Sequence, residues 1–159
     1  IILREIFLTS LGRESSVAFF AADTGAECAL HWYYAYKFDQ PASVPSITPA
    51  GPRSIFCNGW AIRDGEPGPL KINSANFQPN VINGELVSTF SFLTSSQLVG
   101  TATGPKPVPC ASVTTKFEGG SNPSIDPTTF VVISKGYNNC NLTSAQTLER
   151  TLEYRLIIN

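Results

Sequence analysis

Residues 18–38 read AFFAADTGAECALHWYYAYKF. Small residues recur at Ala18, Ala22, Gly25 and Ala29, and the stretch then ends in Trp32, Tyr33, Tyr34 and Tyr36. Spacings of three and four place the small residues on one stripe of a helix. Upstream, Leu3, Ile6, Phe7 and Leu11 keep a similar spacing, and residues 1–38 contain no Pro. The spacing predicts one long helix over 1–38, with Gly12, close to Ser15 and Ser16, as its weak point. A small-residue face lets the helix lie close to whatever covers it, its own domain or a neighbouring helix.

Beyond residue 38 the pattern changes. Pro41, Pro45, Pro49 and Pro52 exclude helix and central strand and predict an exposed connection over 39–52. The rest reads as β. SIFCNGWAI (54–62) is a strand interrupted by the Asn58-Gly59 hairpin signal. DGEPGPL (64–70) is a loop. GELVSTFSFLT (84–94), PCASVTTKF (109–117) and TFVVIS (129–134) are rich in Val, Phe and Thr and bounded by turn residues. Ala111, Val113, Thr115 and Phe117 share one face. In LERTLEYRLII (148–158), Leu148, Leu152, Tyr154, Leu156 and Ile158 share a face that Arg150 interrupts, while Glu149, Thr151, Glu153 and Arg155 share the other. Period two with one wet face predicts an antiparallel sheet covered on one side. Only the long helix is available as cover. The expected fold is therefore α+β: a helix over 1–38 packed on a β-rich head over 39–159, with Leu152, Tyr154 and Leu156 buried beneath the helix.

The chain has 159 residues, a formal net charge of −1 and only 14% charged residues. It is long enough for one real core. No basic footprint points to nucleic acid. Low charge, four cysteines and no methionine suit an oxidising, extracellular setting. Four cysteines allow three connectivities. None has C-x-x-C spacing, so disulfides are expected rather than metal. Pairing sequence neighbours, Cys28 with Cys57 and Cys110 with Cys140, closes two loops of similar length; each adds roughly 3–4 kcal/mol by loop entropy.

No catalytic constellation is visible. His31 is the only histidine and lacks a nucleophile motif. Asp23 and Glu27 lie four apart, most simply as a solvated helix edge. Asn141-Leu142-Thr143 is a glycosylation sequon. Gly136-Tyr137-Asn138-Asn139-Cys140 reads as a structural corner, and Gly119-Gly120 and Asp126-Pro127 as turns. The expectation is no enzyme, no metal and no cofactor. No apolar run is long enough to span a membrane. IILREIF (1–7) fits either the tail of a longer apolar segment or an amphipathic first turn.

ESSVAFFAADTGAECAL (14–30) resembles the segment that follows the hydrophobic stem in type IV pilin-like proteins, particularly the bacterial minor pilins, whose helix has the form A-F-x-A-A-[DE]-x-G-x-[ER]-x-A-L. Ala18, Phe19, Ala21, Ala22, Asp23, Gly25, Glu27, Ala29 and Leu30 match it. CNG (57–59), PCASVTT (109–115), SKGYNNC (134–140) and LERTLEYRL (148–156) are similar to pieces of the same group. The resemblance implies an extracellular filament subunit on the cell surface, with a contribution to adhesion. Its partners would be other pilin subunits, and it would reach the membrane through an apolar stem. Ala18, Ala22, Gly25 and Ala29 would form an assembly face where helices of neighbours approach. Glu5 is similar in kind to the acidic residue near the family's mature start. Arg4, Thr9, Ser10 and Arg13, however, break the apolar pattern, so the stem is expected upstream of Ile1. The contrasting expectation is a secreted, disulfide-stapled binding module, an adhesin or effector, with Trp60 and Tyr137 as surface contacts.

Overall fold

The computed structural model describes residues 2–35, 54–63, 76–82, 85–94, 108–118 and 128–158. The connection expected over 39–52, the 64–70 loop, Tyr36 and the turns at 119–120 and 126–127 lie outside them. One helix, α1 (Ile2–Tyr34), is followed by β1 (Ser54–Cys57), β2 (Trp60–Arg63), β3 (Asn76–Ile82), β4 (Glu85–Leu93), β5 (Cys110–Glu118), β6 (Thr129–Tyr137) and β7 (Glu149–Ile157). β1 and β2 form a hairpin, and β3 to β7 form a five-stranded antiparallel meander in chain order. The architecture is α+β, as the sequence predicts.

Gly12 does not break the helix, which runs unbroken through it. The Asn58-Gly59 signal makes the expected two-residue turn: both residues have positive φ, 49° and 80°, the type I′ geometry that matches strand twist. Asn58 Nδ2 then donates to the Thr94 carbonyl at 2.7 Å, tying the hairpin to the end of β4.

β3 is not expected from the sequence. Pro79 and two asparagines interrupt its pattern, and the register with β4 shifts between Asn76 and Asn80. Pro can occupy a strand at a sheet edge or a bulge, because there its missing donor costs no ladder bond. β3 ends the sheet order, so the exception holds.

The core lies between α1 and one sheet face. Register places Ala111 opposite Gly136, Val113 opposite Ser134, Thr115 opposite Val132 and Phe117 opposite Phe130. All eight are buried. With Phe90, Phe92, Ala26, Ala29, Ile55, Cys57 and Ile62 they enclose the apolar centre. At mid-helix Ala18 and Ala22 meet Gly136; farther along Gly25 meets Ser134. At the C-terminal end Tyr33 stacks on Phe130, ring centroids 4.1 Å apart. The helix therefore runs antiparallel to β6. A smaller cluster of Cys110, Tyr137, Leu93 and Cys140 sits around the end of β5 and β6.

Leu152 and Leu156 point toward the helix side but are only half-buried, and Tyr154 is 38% exposed. Full burial of these three, expected from their period-two pattern, is not what the structure has. β7 is the last strand of the sheet, and the helix covers it only in part. Arg150, which breaks the apolar face in sequence, donates from Nε and Nη2 to Ser15 Oγ at 3.0 and 2.7 Å. A long cation at this strand start bridges sheet to helix where a leucine would not.

Candidate functional site

The helix presents two faces of different chemistry. Its inner face is made of Ala18, Ala21, Ala22, Gly25, Ala26 and Ala29, all buried. A Cβ on Gly25 would strike Ser134 Oγ and the Ala111 side chain, and one on Gly136 would strike the Ala18 carbonyl and the Ala22 backbone. Small residues on the helix meet small residues on the sheet, so the two backbones come close.

This corrects the expected assembly face. Ala18, Ala22, Gly25 and Ala29 are spent on the chain's own sheet and offer a neighbour nothing to touch. In the sequence an assembly stripe and a packing stripe look alike. The distinguishing signal is on the sheet, where Ala111, Ser134 and Gly136 form a matching shallow track, and those residues are far away in the chain.

The outer face carries Arg13, Ser16, Phe20, Glu27, His31 and Tyr34, all exposed. Phe20 is 66% exposed and Phe19, beside it, 45%. Their rings meet edge to face, centroids 6.0 Å apart. Thr24 Oγ1 donates to the Phe20 carbonyl at 2.8 Å and Ser16 Oγ to the Gly12 carbonyl at 3.0 Å, so these two hydroxyls turn back on the helix. What remains for a partner is an aromatic pair in a polar surround. Toward the N-terminus the last contact with the sheet among those already named is Ser15 with Arg150; α1 continues from there for roughly three and a half turns at 3.6 residues per turn.

The aromatic end of the helix is divided. Tyr33 packs on Phe130, and Trp32 Nε1 donates to the Phe56 carbonyl at 2.9 Å. Tyr34 is exposed. His31 is exposed and stands edge to face with Trp32. Cys28 is bonded to Cys57 and Cys110 to Cys140, the pairing expected from loop length, with Cα separations of 5.7 and 5.6 Å. The first ties α1 to the hairpin; the second ties the corner after β6 to the start of β5.

Neither expected surface contact is an open one. Tyr137 is buried, and Trp60 is half-buried against the core. Both stand at strand ends, where aromatics in sequence look exposed but close a core in three dimensions. Burial, and then the hydrogen bond to the Glu149 carboxylate, push the Tyr137 hydroxyl up to about 12. Burial alone would raise Glu149, but Lys135 and Tyr137 donate to it and hold it below the usual carboxylate range. The corner is structural: Asn138 Oδ1 accepts from Leu148 N at 2.6 Å, and Asn138 Nδ2 donates to the Gln146 carbonyl at 3.1 Å. The sequon Asn141 is exposed, its Oδ1 accepting from Thr143 N and Oγ1.

Asp23 and Glu27 do not form a site by themselves. Tyr154 Oη donates to Asp23 Oδ1 at 3.3 Å. Partial burial, then the two carboxylates, raise the Tyr154 hydroxyl. Among the described residues no group of three His, Cys, Asp or Glu side chains is placed to hold a metal, and no helix is long and apolar enough to cross a membrane. Comparison with protein-family models, with curated proteins and with solved structures finds no match.

Proposed function

We propose that the chain is a structural subunit of an extracellular, type IV pilin-like filament, pilin or minor pilin, that assembles with other subunits and contributes to adhesion at the cell surface. The observation that carries this is the division of α1: one face is consumed by the chain's own sheet, while Phe20 on the opposite face and Phe19 on the flank are open to solvent. An exposed aromatic pair on a rigid helix fits a contact with another protein. The motif AFFAADTGAECAL (18–30) supports the same reading, as do the long helix laid on an antiparallel sheet and the two disulfides. Assembly is then assigned to the outer face, not to Ala18, Ala22, Gly25 and Ala29.

The test is localisation in assembled material. Cells producing the full gene product are sheared, the released filaments are pelleted, and antibody against this chain is applied by immunogold labelling. Labelled filaments are expected. Protein recovered only as free monomer in the medium would instead support the secreted binding module, for which exposed Phe56 on the β1–β2 hairpin is the available contact.

A further inference from the structure

The two ends of the five-stranded sheet are built differently. β3 carries Pro79 and a register shift, devices that blunt an edge. β7 has neither: it holds an unbroken ladder with β6 over all nine residues. It contains no Pro, Gly or Lys. It ends the sheet order, and no other described strand pairs with it. Glu149, Arg150, Thr151, Glu153 and Arg155 are exposed, and Ile157 is 80% exposed.

Hydrogen-bond phase shows which groups face outward. Ile158 N–H donates to the Thr128 carbonyl at 2.9 Å, and the Leu148 carbonyl accepts from Asn138 N–H at 3.2 Å. Bonding alternates along an antiparallel ladder, so the even-numbered residues between them turn their N–H and C=O groups to β6. Glu149, Thr151, Glu153, Arg155 and Ile157 turn theirs to the outer edge. An edge of this kind accepts an added strand.

We propose that this edge pairs with the β7 edge of a second copy of the chain, antiparallel about a two-fold axis at Leu152, joining two sheets into one ten-stranded sheet. Charge complementarity, together with the reach of Arg150, favours this occupant and this register, adding to the ion pairs Glu149 and Arg155 make with Lys135, Glu118 and Glu153 in their own chain. With Leu152 facing its symmetry mate, Glu149 stands opposite Arg155 twice and Thr151 opposite Glu153 twice. On the helix side Arg150 stands opposite Tyr154, whose hydroxyl already contacts Asp23 and feels the charge of Glu27. The cation of each copy thus approaches an acidic corner of the other. Moving the axis to Glu153 puts two like charges face to face, which is destabilising. Moving it to Tyr154 sets Glu153 opposite Arg155, but these two already bond each other within one chain, and it leaves Glu149 and Arg150 beyond the paired strand. Phe19 lies one helical turn from both Ser15 and Asp23, whose side chains bond Arg150 and Tyr154, so it borders the seam, but the pairing is argued from the β7 edge and does not depend on the filament proposal.

Two experiments on the full chain test it. None of the native cysteines is free, so Leu152→Cys adds the one available thiol. Directly opposed residues in a non-hydrogen-bonded pair stand about 4.5 Å apart at Cα, within disulfide reach. Under mild oxidation Leu152→Cys is expected to give a reducible dimer and Tyr154→Cys none. In sedimentation equilibrium, Glu149→Arg or Arg155→Glu alone is expected to weaken self-association roughly tenfold, two attractive pairs becoming repulsive. The double variant restores it, since the exchanged charges again stand opposite their complements. A monomer at all concentrations, no rescue in the double variant, or cross-linking at Tyr154→Cys in place of Leu152→Cys would overturn the proposal.

Discussion

Two glycines decide how closely the helix can lie on the sheet. At Gly136 an added Cβ meets the Ala18 and Ala22 backbone, which cannot rotate aside; at Gly25 it meets Ser134 Oγ, which can, and Ala111 Cβ, which cannot. Overpacking typically costs about 1–3 kcal/mol. Gly136→Ala is expected at or above the upper end and Gly25→Ala below it, read from urea denaturation midpoints. Ser134 Oγ is buried and finds no hydrogen-bond partner among the described residues, so Ser134→Ala is expected to be neutral or stabilising. Tyr137 gives a pH test. Its folded-state value, about 12, lies above the unfolded value near 10. The stability this contributes is complete below pH 10 and is lost as pH rises toward 12, with a slope of up to about 1.4 kcal/mol per pH unit. Tyr137→Phe is expected to be less stable at neutral pH and to show a shallower loss between pH 10 and 12 in denaturant titrations.

β7 shows what a strand pattern says and what it leaves out. Its period-two alternation assigns each residue to the correct face: Arg150 and Tyr154 reach helix residues, while Glu149 and Glu153 bond Lys135 and Arg155 on the other. The alternation carries no information on how far the covering helix extends over an edge, so the depth of burial is not legible. Leu152→Ala and Leu156→Ala are therefore expected to cost about 1–2 kcal/mol, below the range for fully buried leucines. Glu153→Ala should lie within about 0.5 kcal/mol of the parent, as for most surface changes. Differential scanning calorimetry of the three variants checks the order. The hairpin at Asn58-Gly59, β4 to β7 and the disulfide pairing were legible because each rests on local chemistry or on sequence distance. β3 was not, because only its place at the sheet edge permits Pro79. The buried state of Tyr137 was not either, because it depends on the Cys110–Cys140 corner folding over it.

At the scale of the molecule, the fold resolves the double meaning of the N-terminal helix. Its alanine and glycine face packs on the chain's own sheet; its outward face, with Phe20 and, at the flank, Phe19, is what a neighbour would meet under the proposed filament role. Both faces lie in one stretch of sequence, which is why the stretch alone does not say which of them the sheet covers. The two faces are separable by substitution. Ala22→Leu forces a large side chain against the Gly136 backbone and should unfold the domain before assembly is in question. Phe20→Glu changes an exposed ring and should leave the fold intact. The most direct measurement is therefore electron microscopy of filaments on cells producing the full gene product with Phe20→Glu, beside the melting temperature of the purified chain carrying the same change. If the outer face carries assembly, filaments are lost while the melting temperature stays within a few degrees of the parent. Filaments of normal number and length would contradict it.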